Sequence, residues 1–319
     1  MTAKTMRAEP AGEKKLGLAL GSGAARGWAH IGVLRGLEEI GLAPQAIAGC
    51  SVGALVGGAY LLGALDAFES WARELKPLSA LQRFNLKLVR GGFIDTEPAF
   101  EAFRDYDKAI EDLPTRYAAV AADLGTGEEV VITRGSVIDA ARASSAIPVL
   151  FHAVSLNNRW LVDGALANPA PISVARALGA DVVVAVDLNA VPKVLDRFDP
   201  PPPSPPTVAP APPPPADTFT GAVARLIEDT HSAVQRQLDL ARARADASPH
   251  LIETAYAAAD IFQMHLARAR AKADPPDVML KPDMRDAMPV AFDRADEFIE
   301  EGRQALLAQA DRIKSLLAD

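Results

Sequence analysis

Ala46-Ile47-Ala48-Gly49-Cys50-Ser51-Val52-Gly53-Ala54-Leu55 decides how this chain is read. A short apolar run, Ala46 to Gly49, suits a buried strand, and a G-x-S-x-G turn then throws the chain into an apolar helix expected over Val52 to Leu65. Such an elbow lifts the Ser51 hydroxyl above a sheet edge. It also sets the Val52 N–H at a helix N-terminus, where partial positive charge favours an oxyanion. Gly49 and Gly53 keep side chains out of the turn.

Just upstream, Leu16-Gly17-Leu18-Ala19-Leu20 reads as another buried strand, followed by Gly21-Ser22-Gly23-Ala24-Ala25-Arg26-Gly27. Trp28, Ile31, Val33, Leu34, Leu37 and Ile40 then mark a helix that stops at Gly41. Strands are expected at Ala118–Ala122 and Val130–Thr133 around a Gly125-Thr126-Gly127 turn, at Trp160–Val162 and at the β-branched run Asp181–Val186. Strands alternating with helices predict an α/β fold, a three-layer α/β/α sandwich on a mostly parallel sheet. Leu42 to Leu65 is long enough on paper to cross a bilayer, but Pro44 and its glycines favour the strand–turn–helix.

Composition excludes some functions. The 319 residues carry a net charge of −8, which argues against a nucleic-acid binder. Cys50 is the single cysteine, so no internal disulfide forms and a reducing, cytoplasmic setting fits. Met1–Lys15 is polar and lacks the apolar centre of a secretory signal; it reads as a disordered tail. The expected organisation is a catalytic core over 16–195, a proline-rich linker or loop over 196–217, and a helical part over 218–319. That last part holds helices at Phe219–Asp246, Leu251–Ala271 and Phe292–Leu317 and a short strand at Val278–Leu280. The proline run suits a spacer, or a groove on a protein partner.

The glycine loop admits two readings. A dinucleotide loop would want an acidic residue at the end of the second strand, and Gly49-Cys50-Ser51 stands there instead. An oxyanion hole fits better, since glycine N–H groups approach an oxygen closely. For the base, His30, His152, His231, His250 and His265 all read as structural or surface histidines, with His152 the one kept as a candidate. Asp163-Gly164-Ala165 closes an apolar strand, and a poorly solvated carboxylate there can take a proton from a serine.

With these residues in place the chain resembles the patatin-like phospholipase family, in particular its small bacterial members. The resemblance rests on Gly21–Gly27, Gly49–Gly53 and Asp163–Ala165 in that order. Arg142-Ala143-Ser144-Ser145-Ala146-Ile147-Pro148 and the closing strand near 277–283 support it. It implies a serine-dependent lipid acyl hydrolase, with Ser51 as nucleophile, Asp163 as base and no metal or cofactor. Gly21, Ser22, Gly23, Ala24, Arg26, Gly27 and Val52 would form the oxyanion site, and Gly49, Gly53, Gly164 and Ala165 complete the motifs. One departure stands out: the family usually has glycine where this chain has Ala24. If that position needs φ > 0, alanine costs on the order of 1 kcal/mol. A weakly active or inactive regulatory protein on the same scaffold is the rival reading. A third expectation concerns 71–93. Trp71, Leu75, Leu78, Leu81, Phe84, Leu86, Leu88 and Phe93 interleave with Arg73, Lys76, Arg83, Lys87 and Arg90, which suits either transient contact with an anionic inner membrane face or a lid helix.

Overall fold

Apolar runs too short for helices must be covered on both faces, and a parallel sheet between two helical layers does this. The computed structural model describes residues 14–75, 85–89, 92–95, 100–101, 103–148, 150–189, 251–284, 287 and 291–318. It has this architecture. In chain order the elements are β1 (Leu16–Leu20), α1 (Ala29–Glu39), β2 (Ala46–Cys50), α2 (Val52–Leu61), α3 (Leu65–Glu74), β3 (Asn85–Val89), β4 (Gly92–Asp95), β5 (Arg116–Asp123), β6 (Glu129–Ile132), α4 (Val137–Ser144), β7 (Val154–Leu156), β8 (Arg159–Asp163), α5 (Ile172–Ala177), β9 (Val182–Val186), α6 (Leu251–Ala273), β10 (Val278–Leu280), α7 (Ala295–Leu307) and α8 (Ala310–Ala318).

The main sheet runs β10-β9-β1-β2-β5 in parallel, and β6, β7 and β8 complete it with antiparallel pairings. Alternation along the strands sorts the two faces. Leu16, Leu18, Leu20 and Ile47 belong to the larger core with residues of α1, α2, α4 and α7. Ala19, Ala48, Ala118 and Ala185 face the other way, onto Ile172, Val174 and Ala175 of α5, with Ala271 of α6 at the margin. Small side chains there let those helices lie close to the sheet.

The register of β5 positions the site. Strand β5 pairs with β2 up to Cys50↔Val120 and with β8 from Ala121↔Asp163 onward. β6 overlaps both stretches, pairing with Ala119 through Ala122. It therefore occupies the opposite edge, and β2 and β8 share one edge of β5 end to end. The first residue beyond β2 and the last residue of β8 are brought together by this change of neighbour.

Several sequence expectations shift. The helix leaving the elbow ends at Leu61 rather than Leu65, because Gly63 takes φ 70 and lets a new helix, α3, begin at Leu65. The terminal helix is divided between α7 and α8. Leu42–Leu65 is the expected strand–turn–helix, and no helix among the described residues is long and apolar enough to cross a membrane. Within the expected tail, Lys15 is already tied to Asp181: its N–H donates to Asp181 Oδ2 at 2.8 Å and its carbonyl accepts from the Asp181 N–H at 2.9 Å. The described residues before 195 and from 259 onward form one compact body. The proline-rich segment 196–217 and the expected helix Phe219–Asp246 lie outside the described residues.

Part of 71–93 is an antiparallel β3–β4 hairpin, not a lid helix. Trp71 sits in an aromatic cluster 6.1 Å from Trp28, 5.5 Å from Phe68 and 6.2 Å from Phe103. Arg73 is paired with Glu69 at 2.8 Å and with Asp296, so two carboxylates already engage the first cation of the series. Residues 76–84 and 90–91 lie outside the described residues.

Candidate active site

A serine between a strand and a helix must turn the chain within one residue, and Ser51 does so at φ 55, ψ −123. Close packing makes this possible. A Cβ on Gly53 would stand 2.1 Å from the Leu20 carbonyl oxygen, and one on Gly49 would stand 2.4 Å from Ala54 Cα. The turn is also held from below. Ser51 N–H donates to Ser144 Oγ at 2.8 Å, and Ser144 Oγ–H donates to the Val120 carbonyl at 2.5 Å. Ser144 ends α4, inside the Arg142–Pro148 segment.

Asp163 faces Ser51 across the shared edge of β5. Ser51 Oγ donates to Asp163 Oδ2 at 2.6 Å, and both residues are nearly sealed from solvent, at 4% and 3% exposed. The other carboxylate oxygen, Oδ1, accepts from the Ala165 N–H at 2.8 Å, and Asp163 N–H donates to the Ala146 carbonyl at 2.9 Å. Gly164 permits the tight turn, since a Cβ there would stand 2.0 Å from the Val120 carbonyl oxygen. Burial pushes the Asp163 carboxyl up to about 6, against the opposing pull of hydrogen bonds from Ser51 and Ala165. A buried carboxylate near neutrality, in contact with a hydroxyl, can receive that hydroxyl's proton.

Backbone accounting separates the members of the glycine loop. Gly21 N–H donates to the Val186 carbonyl at 3.1 Å and Ser22 N–H to the Pro169 carbonyl at 2.8 Å. Both amides are therefore engaged, although sequence reasoning offered them as oxyanion donors. Among the described residues no acceptor is found for the N–H of Gly23 or Ala24. Val52, the first residue of α2, has no intrahelical acceptor for its own N–H. Gly27 lets the loop lie against the elbow, because a Cβ there would stand 2.2 Å from Val52 Cγ1. Arg26 also differs from expectation. Its guanidinium turns into the protein and pairs with Asp260 of α6 at 2.6 Å, both side chains being under a tenth exposed.

Ala24 has φ 50, the left-handed conformation in which alanine is strained. The condition attached to the missing glycine is therefore met.

Among the described residues, no histidine is hydrogen-bonded to Ser51 or Asp163. His30 is fully buried, places Nε2 2.7 Å from the Gly21 carbonyl, and is pushed down to about 4 by burial. His152 Nε2 is buried without a hydrogen-bond partner among the described residues. His265 lies exposed on α6, and His231 and His250 fall outside the described residues. Burial raises the Cys50 thiol well above its ordinary range, which keeps it protonated beside Ser51. Among the described residues no cluster of histidine, cysteine or carboxylate side chains could hold a metal ion.

A family model described as patatin-like phospholipase matches residues 18–176. An uncharacterized NTE family protein of Mycobacterium tuberculosis (strain ATCC 25618 / H37Rv) is 40% identical over 186 residues, covering 58% of this chain and 52% of the relative. A lysophospholipase, NTE1, of Yarrowia lipolytica is 31% identical over 185 residues, 55% of this chain and 13% of that protein. The chain thus spans about half, or much less, of the length of these curated relatives. The crystal structure of VipD from Legionella pneumophila aligns with TM-score 0.42 at 12% identity, covering 94% of this chain and 67% of that one.

Proposed function

Because the chain belongs to the patatin-like phospholipase family, we propose that it is a serine-dependent carboxylic-ester hydrolase acting on lipid acyl groups, of phospholipase A, lysophospholipase or esterase type. The observation that carries this reading is the buried 2.6 Å hydrogen bond from Ser51 Oγ to Asp163 Oδ2. The relative named lysophospholipase makes a lysophospholipid a reasonable first substrate.

On this reading the reaction has two halves. Ser51 Oγ attacks the acyl carbonyl carbon while Asp163 Oδ2 accepts its proton. The carbonyl oxygen becomes an oxyanion, received by the N–H groups of Gly23, Ala24 and Val52. The tetrahedral intermediate collapses, Asp163 returns the proton to the leaving alkoxide, and an ester on Ser51 remains. Asp163 then deprotonates a water that attacks this ester. A second tetrahedral collapse releases the fatty acid and restores the serine. Ala165 N–H holds Asp163 so that Oδ2 stays aimed at Ser51 through both halves.

The test is labelling with a fluorophosphonate and mapping the adduct by mass spectrometry. An adduct on Ser51 is expected; a protein that hydrolyses acyl esters yet is never labelled there would overturn the mechanism. A second reading, a weakly active protein with a regulatory role, is favoured by the strained Ala24 at φ 50. It predicts an intact fold with negligible turnover across acyl chain lengths, and a protein partner that is lost when Pro200 to Pro215 is deleted.

A further inference from the structure

Helix α6 lies beyond residues 18–176, the stretch that matches the family, yet it reaches the glycine loop. Asp260, Gln263, Ala267 and Arg270 recur at spacings of three and four, which places them on one helical face. Arg270 reaches the segment after the base, donating to the Ala167 carbonyl at 2.8 Å and pairing with Glu129 at 2.9 Å. Gln263 Oε1 accepts from Ser22 Oγ at 2.7 Å. Asp260 Oδ1 accepts from Arg26 Nη2 at 2.6 Å, and the same nitrogen donates to Asn189 Oδ1 at 2.9 Å.

Arg26 has one further contact. Its Nε donates to the Gly23 carbonyl at 3.2 Å, and its backbone N–H donates to the same oxygen at 3.1 Å. In a trans peptide the C=O and the following N–H point in opposite directions. Whatever grips the Gly23 carbonyl therefore sets the direction of the Ala24 N–H. That peptide is held against its own preference. Turning it over by half a rotation would carry Ala24 from φ 50 to about −130°, an unstrained value, and would exchange the N–H for a carbonyl. With alanine in place of glycine, the present orientation depends on an external hold.

We propose that Asp260, acting through Arg26, is a positioning residue that locks the Gly23–Ala24 peptide in the orientation that presents its N–H to the oxyanion. This rests on the reading of Ser51 as an acyl-transfer nucleophile. The Arg26–Asp260 pair orients the guanidinium, the guanidinium holds the Gly23 carbonyl, and the Ala24 amide is fixed as a consequence. Removing the carboxylate frees the peptide to turn over, after which a carbonyl repels the oxyanion.

The test is a double-mutant cycle on the full chain with a chromogenic acyl ester. Asp260→Asn is expected to lower kcat about tenfold to a hundredfold with KM within about twofold, since the lost interaction is made only in the transition state. Asp260→Glu is expected to recover most of the rate. In an Ala24→Gly background the Asp260→Asn loss is expected to shrink below about threefold, because glycine accepts φ > 0 without strain. Equal losses in both backgrounds, or a change in KM alone, would overturn the proposal. If Asp260→Asn does not fold, Arg26→Lys takes its place, since it keeps the charge and removes the Nε donor. Hydrogen exchange separates this proposal from the functional reading. Either variant should speed exchange over Gly21–Gly27 and leave Ser51–Gly57 as before. If the parent protein turns over no ester, the functional reading fails, and exchange alone decides the hold: faster exchange sustains it and unchanged exchange ends it.

Discussion

Two turns at the carboxyl ends of neighbouring strands each hold a non-glycine residue at positive φ, Ser51 at 55° and Ala24 at 50°, and they are secured in opposite ways. The elbow is secured by close packing and a neutral hydrogen bond. Its glycines pack on backbone of adjacent strand and helix, and one hydroxyl, Ser144 Oγ, ties it to β5. The upstream loop is secured from far along the chain, by Arg26 reaching Asp260 across 234 residues. A strained turn survives only where its surroundings over-determine it. Here one turn is over-determined by packing and the other by a buried charge pair.

The largest effects should come from the elbow. Ser51→Ala and Asp163→Asn are each expected to lower turnover by about 10³-fold or more, and the double variant to be little worse than either single one, because the two groups act as a unit. Steady-state hydrolysis of an acyl ester checks this, and additive losses would separate their roles. Next comes Ser144→Ala. It leaves the buried Ser51 N–H and the Val120 carbonyl each short of a partner, and should cost about 2 kcal/mol in chemical denaturation and about tenfold in kcat. A full-rate Ser144→Ala protein would show that the glycines alone hold the elbow.

A third experiment varies pH. The Asp163 carboxyl is pushed up to about 6 in the fold, so it binds a proton more tightly folded than unfolded. Its contribution to stability is complete below its ordinary value near 3.8 and is lost as pH rises through about 6, a swing on the order of 3 kcal/mol. His30, pushed down to about 4, acts in the opposite sense: its contribution is present above about 6.5 and is lost as pH falls toward 4. The comparison is therefore between the parent and Asp163→Asn, whose difference in unfolding free energy should change across pH 4 to 6 and level off above. Turnover should rise as the carboxylate forms, over about one pH unit on each side of a midpoint near 6. The smallest effect belongs to Ala24→Gly. It removes left-handed strain and adds chain entropy, so stability should move by less than about 1 kcal/mol in thermal melts, with kcat equal or higher. A tenfold fall would mean that the alanine methyl itself supports the loop.

What the sequence discloses follows the same division. The strands β1, β2, β5, β6, β8, β9 and β10, the elbow, the aspartate turn and the strain awaiting Ala24 are written in runs of neighbouring residues, whereas no such expectation covers β3, β4 and β7. What holds these parts together is not local. Ser144 is one serine of two in Arg142–Pro148, and nothing in its spacing says that it bridges Ser51 to Val120. Arg26 reads as part of a phosphate-like or oxyanion loop until its partner on α6 is seen. Gly21 and Ser22 offer amides like any loop glycine and serine, and only the positions of Val186 and Pro169 reveal that these donors are engaged. The β3–β4 pairing is legible in principle, since Phe84, Leu86 and Leu88 alternate with Asn85 and Lys87 ahead of Gly91-Gly92; the interleaved cations draw the reading toward a membrane face or a lid helix instead.

One edge of strand β5 has two successive neighbours, β2 as far as Val120 and β8 from Ala121. The separation of Ser51 and Asp163 is consequently digital. It advances only in whole steps of the pleat, about 3.3 Å each, and every odd step turns the carboxylate to the opposite face of the sheet. Small drifts that would detune a pair mounted on two loops are rounded away by the ladder. Hydroxyl and carboxylate are either in register or absent from each other's company, and the ordinary cooperativity of a sheet does the proofreading.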